Sequence, residues 1–203
     1  MNLIRNIIIL AVLSALSACA EQSASKQPTA KQAPRAQNSC TITADSIGGI
    51  MLGQTLAQVQ SRFLQAELTP FSDAEGAEFT QITLNPKIND DAENIIVLAH
   101  TDETTGKIEY LETDSPKCHT ANGIHPKMPL HEAEQRLGKL KHITMTEIEM
   151  RQFAEFTHQP QWLTMRVSDG DFGVLQEQDL VFPLYTQRFN SNAEIISLAV
   201  ARW

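Results

Sequence analysis

The chain has 203 residues, a formal net charge of -8 and only 6% aromatic residues. From Cys40 onward, twelve basic residues stand against twenty-three acidic ones, a net charge of -11. A body that acidic repels polyanions, which excludes nucleic acid as a partner and disfavours anionic headgroups; its first consequence is solubility.

The first eighteen residues predict a secretory leader. Asn2 and Arg5 make a polar, basic start, Ile7 to Leu13 is an uncharged apolar run, and small residues follow up to Ala18. The run is well short of the ~20 residues that a membrane-spanning helix needs. Leu16-Ser17-Ala18-Cys19 resembles the lipobox of bacterial lipoproteins, residue for residue. That resemblance implies cleavage before Cys19, a diacylglyceryl group on its sulfur and acylation of the new amine. Two or three acyl chains would anchor the protein durably, since each buried methylene contributes ~0.8 kcal/mol. In Gram-negative lipoproteins an Asp after the lipidated cysteine marks inner-membrane retention. Ala20 stands there, which implies the outer membrane.

Ala20 to Ser39 contains no Val, Ile, Leu, Met or aromatic residue. It cannot bury enough surface to offset its conformational entropy, and it reads as a disordered linker. A flexible coil of that length spans ~25 Å on average. The expected organisation is thus a signal peptide over 1–18, a lipidated cysteine and linker over 19–39, and a folded body over 40–203, with possible tandem halves 40–117 and 118–203. With Cys19 taken by lipid, Cys40 and Cys118 remain as one pair in an oxidising compartment, which predicts a disulfide. Two free thiols are the alternative.

Within the body, Ile42 sits in a short strand and Ser46 to Gln54 is a Gly-rich turn. Thr55 suits an N-cap, followed by Leu56, Val59, Phe63 and Leu64 on one helical face. Pro70 ends that region. Strands are predicted over Glu78–Leu84, Ile95–His100 and Lys107–Thr113, with a polar loop over Asn85–Asn94 and a Gly106-containing hairpin turn. Gly123-Ile124, Pro129-Leu130, Ala133 and Leu137 repeat, 74 residues on, the positions Gly49-Ile50, Thr55-Leu56, Val59 and Phe63. Pro129 suits a helix start and Gly138 its end. This recurrence predicts an α+β fold: a duplicated unit of amphipathic helix packed on antiparallel β-sheet. Leu140–Glu147 and Trp162–Val167 read as strands, Ile148–His158 fits either helix or strand, Ser168–Asp171 is a turn, and Asp179–Asn192 is a loop. Ile195–Trp203 is a terminal strand whose small residues on one face predict a further layer close by.

The block Lys107-Ile-Glu-Tyr-Leu-Glu-Thr-Asp-Ser-Pro116, with Gly123-Ile124, Met128 to Gly138 and the ending Leu163–Val167 and Ile195–Trp203, resembles the sigma-E-regulated lipoproteins of enteric bacteria. The turn-helix motif is more distantly similar to the small outer-membrane assembly lipoproteins and the tandem-repeat β-lactamase inhibitor protein. The resemblance implies an α+β body, an outer-membrane address and a link to envelope stress; it carries no catalytic residues and no cofactor.

The sequence presents no catalytic set. His119, His125 and His131 are six apart, a spacing that suits neither helical nor Cys-pair zinc sites. Asn89 to Glu93 and Ser168 to Asp171 lack the twelve-residue calcium pattern and fit turns. Ser46 lies outside any Gly-x-Ser-x-Gly elbow. Gly48, Gly49 and Gly53 lack the dinucleotide fingerprint. The expectation is a membrane-anchored, non-enzymatic periplasmic binding module with an envelope protein as partner. A small-ligand or lipid carrier and a hydrolase acting on envelope material are the alternatives.

Overall fold

The computed structural model describes residues 40–74, 76–85, 94–175 and 180–202. Cys19, the linker, the Asn89–Glu93 loop and Trp203 lie outside the described residues. Among the described residues, two sheets and two short α-helices make up the body. In the smaller sheet, β1 (Cys40–Thr43) is central. It pairs antiparallel with β2 (Ser46–Ile47), which pairs with β3 (Ile50–Met51), and in parallel with β8 (Cys118–Thr120).

The larger sheet has nine strands: β4 (Glu67–Ser72), β5 (Glu78–Leu84), β6 (Ile95–Thr101), β7 (Ile108–Thr113), β9 (Leu140–Met145), β10 (Gln152–Phe156), β11 (Thr164–Val167), β12 (Leu184–Thr186) and β13 (Ile195–Ala201). Their spatial order is β12-β9-β10-β11-β13-β7-β6-β5-β4, antiparallel throughout. The seam between β13 and β7 joins two meanders into one continuous surface, with Ala199 opposite Glu112 and Val200 opposite Leu111.

This corrects the expected fold class. The helices α1 (Leu56–Arg62) and α2 (Leu130–Leu137) have seven and eight residues, two turns each. They do begin at the recurring leucines, and α1 carries the expected cap. The Gln58 N–H donates to Thr55 Oγ1 at 3.3 Å, and the Thr55 N–H donates to Gln58 Oε1 at 2.9 Å. Two turns are too little to form a layer, and the strands that follow each helix merge into one sheet. The body is a β-rich fold, not a duplicated α+β unit.

One further reading changes, and one left open between helix and strand resolves. Pro70 lies inside β4, opposite Thr80. β4 is the terminal strand, where the missing N–H of proline leaves no ladder bond unmade. Ile148–His158 resolves mainly into β10, whose Phe153 and Phe156 mimic helical spacing but fall on opposite pleats. Gly138 ends α2 at φ 76°, ψ -174°, a backbone region essentially closed to side chains.

One face of the large sheet makes the core. Ile82, Val97, Leu111, Leu198, Met165 and Ile143 are each buried there, together with Val59 of α1 and Leu130, Ala133 and Leu137 of α2. Phe156 is the largest fully buried side chain. Cys40 and Cys118 face each other across the parallel β1–β8 pair and form a disulfide, with both residues buried in the same core.

Candidate functional site

The strands bury one pleat, and the other pleat is open. Along β6 the pattern is strict: Ile95, Val97 and Ala99 are buried, while Ile96, Leu98 and His100 are half-buried on the opposite face. The pairing registers extend that second face across the sheet. It runs from Phe71 and Phe79 through His100, Tyr110 and Glu112, over Ser197 and Ala199, to Arg166, Phe153 and His142. Ser197 and Ala199 are 4% exposed. They sit in register beside Arg166, Thr164 and Glu112, whose longer side chains flank them. The small residues on β13 thus form the floor of this face.

The face has an aromatic side and a polar centre. Ring centroids lie 6.3 Å apart for Phe71 and Phe79, 5.6 Å for Phe79 and His100, and 6.2 Å for Phe79 and Tyr110, spacings within the range of favourable aromatic pairs. At the centre, the Tyr110 hydroxyl donates to Glu112 Oε2 at 2.7 Å, and the Ser197 hydroxyl donates to Glu112 Oε1. Burial and the adjacent Glu112 charge push the Tyr110 hydroxyl far above its ordinary pKa, against the pull of Arg151 and Arg166. Tyr110 is therefore a neutral hydrogen-bond donor at all physiological pH values.

The sheet curls over this face. Arg151 Nη2 lies 3.2 Å from Asp73 Oδ2 and 2.7 Å from Glu149 Oε2. Arg151 enters β10 and Asp73 follows β4, six strand positions away. Six steps of a flat sheet cover ~29 Å, so the two corners meet only because the sheet is strongly twisted and coiled. Arg151 stands two positions before Phe153 in the extended chain, on the pleat of the open face, which places the closure there. Arg151 is delivered by a strained turn: Glu149 and Met150 both have positive φ, 48° and 49°. Left-handed non-glycine residues cost on the order of 1–3 kcal/mol each and persist where the surroundings hold them. The same turn leaves Ile148 57% and Met150 45% exposed at the rim.

Toward β9 and β11 the face deepens into an open groove of about 510 Å³, lined in part by His142, Phe153, Glu155 and Thr164. Lys141 Nζ donates to Glu155 Oε1, and that bond holds the Glu155 carboxyl below its ordinary range. His142 Nε2 is 3.6 Å from the other Glu155 oxygen. The Tyr185 ring of the edge strand β12 meets His142 edge-on at 5.6 Å.

The candidate residues from the sequence lie elsewhere. His119 and His131 are exposed and His125 is half-buried. The His119 and His125 rings engage the backbone carbonyls of Thr120 and Pro126. Among the described residues no three His, Cys, Asp or Glu side chains converge to hold a metal ion. Ser168–Asp171 is a turn: the Glu194 N–H donates to Ser168 Oγ, the Gly173 N–H donates to Asp171, and Arg188 pairs with Asp171 at 3.3 Å. Ser46 Oγ shares a 2.7 Å hydrogen bond with Thr43 Oγ1 in the small sheet. The open-face residues Tyr110, Glu112, Phe153, Arg166 and Ser197 carry no motif. Their only sequence signal is strand alternation that leaves an aromatic or a charge on the solvent pleat.

No protein-family model matches the chain, and no curated protein matches it in sequence. Among solved structures it is similar to an uncharacterised protein, YfeY, from Escherichia coli. The TM-score is 0.49 and the identity 8%, over 81% of this chain and 99% of that one.

Proposed function

We propose that this chain is an outer-membrane lipoprotein whose folded body is a protein-binding module serving envelope maintenance or stress. Cys19 carries the lipid, residues 20–39 form the tether, and the body docks an envelope protein on the open face of its large sheet. The lipobox-like Leu16–Cys19, Ala20 after it and the resemblance to sigma-E-regulated lipoproteins support the anchor and the address. The observation that carries the binding role is the open, curled sheet face with half-buried aromatic and aliphatic side chains and an arginine at its centre. Aromatics and arginine are the residue types that dominate protein–protein hot spots. The groove that deepens this face is open and edged by charged Lys141, His142 and Glu155. A lipid carrier would instead use an enclosed apolar cavity.

The anchor is tested by Cys19→Ala. The variant is expected to leave the membrane fraction for the soluble periplasm, or to accumulate unprocessed, while the wild-type chain sediments with the outer membrane. A variant that fractionates with membranes as the wild type does would contradict the anchor.

A further inference from the structure

The centre of the open face holds a cation without a direct anion. Arg166 projects from β11 between two in-register neighbours, Phe153 on β10 and Ser197 on β13. Two open-face carboxylates lie near it by register: Glu112, one strand beyond Ser197, and Glu155, two positions along β10 from Phe153 and held by Lys141. Both oxygens of Glu112 are already engaged, one by the Tyr110 hydroxyl and one by the Ser197 hydroxyl. Arg166 is half-buried. Its guanidinium makes no hydrogen bond or ion pair with a described residue, in contrast to Arg151, which Asp73 and Glu149 hold. Its guanidinium donors are thus open to an acceptor brought by a partner. Its planar fork matches a carboxylate in bidentate fashion, and the Phe153 ring beside it favours apolar or aromatic company for that carboxylate.

Resting on the reading of this face as a docking surface, we propose that Arg166 is the anchoring contact for a single carboxylate of the partner polypeptide, an Asp or Glu flanked by apolar residues. A polypeptide fits better than a free anion for two reasons. Apolar side chains flank Arg166 on both sides, Phe153 directly beside it and Leu98, Phe79 and Phe71 beyond the polar Ser197, Glu112 and Tyr110. A body of net charge -11 repels multivalent phosphates and anionic membranes, whereas one carboxylate in an apolar segment adds little to that repulsion.

The test uses the mature lipidated chain in detergent micelles with ¹⁵N-labelled arginine. The probe is N-acetyl-Leu-Asp-Phe-amide, with its Asn counterpart and inorganic phosphate as controls. The Asp peptide is expected to shift the Arg166 Nε–Hε resonance saturably, and the Asn peptide to bind about tenfold more weakly, the loss of one charge-assisted hydrogen bond. Arg166→Met is expected to abolish the preference for Asp over Asn. Arg166→Gln, which keeps length and polarity, must abolish it too. Equal binding of the two peptides, equal shifts at Arg136 and Arg202, or a phosphate response as large as the peptide's would overturn the assignment. Partner crosslinks from this face with no such acid preference would overturn the role of Arg166 alone. Failure of the crosslinks themselves would overturn the face.

Discussion

Replacing both Cys40 and Cys118 with alanine is expected to lower the unfolding free energy by about 3–4 kcal/mol. The two cysteines are 78 positions apart. In the chain-entropy view a closed loop of that size restricts the unfolded ensemble by ~4 kcal/mol. Folding supplies the alignment: β1 and β8 pair in parallel with Cys40 opposite Cys118, so the bridge forms between facing residues of one sheet. The link also ties the small sheet to the end of β7, because Thr113 Oγ1 bonds the Ile96 carbonyl at 2.6 Å and lies 3.7 Å from Cys118 Sγ. Urea unfolding of the wild type with and without reductant, beside the double variant, measures the effect. Reduced wild type and double variant should share a lowered midpoint with a similar slope. A midpoint that does not move on reduction contradicts this account of the body's stability.

Phe156→Ala is expected to be as damaging, by about 3–5 kcal/mol, the range for emptying a fully buried aromatic site. Phe156 is 0% exposed on the core pleat of β10. Its neighbour Glu155 points to the opposite pleat and touches the groove. Phe153→Ala, on the open pleat, should cost under about 1.5 kcal/mol, because that ring is only half-buried. The two phenylalanines are three positions apart, so the contrast in urea midpoints tests which pleat is core. Equal losses at both positions would contradict a one-sided sheet.

Several strands were legible from the chain alone. Glu78–Leu84, Ile95–Thr101 and Ile108–Thr113 form where the sequence predicts strands, between turn and loop signals. The caps were legible too, since Thr55 and Gln58 bond reciprocally and Gly138 takes a positive φ. The fold class was not, because the turn-helix recurrence gave the helices too much weight. What decides the architecture is the antiparallel pairing of β7 with β13, some ninety positions apart, and local patterning cannot see such a contact. Edge strands were misread for a related reason. Pro70 breaks a central strand but not a terminal one, and position in the sheet is a tertiary fact. The candidate site was the least legible. Tyr110 and Glu112, Phe153, Arg166 and Ser197 come from four strands, and only register and curl bring them together.

The curl sets the shape of the proposed surface. The Asp73–Arg151–Glu149 contact closes two distant corners over the face, and the strained Glu149–Met150 turn holds Ile148 and Met150 at its rim. A protein partner docking on this face would meet exposed apolar side chains at the edge and aromatic and arginine side chains at the centre, the arrangement that tight interfaces favour.

The central claim is that this open face, not the helical side, grips the partner. Site-specific photocrosslinking in the envelopes of cells that make the lipidated chain tests it most directly. A photoreactive residue is placed at Leu98 or Thr164 on the face, and at Gln60 or Gln135 on the two helices, all four in otherwise wild-type chains. The account predicts a discrete crosslinked protein adduct from Leu98 and Thr164 and none from Gln60 and Gln135. Adducts from the helix positions alone, or none from the face, would contradict it.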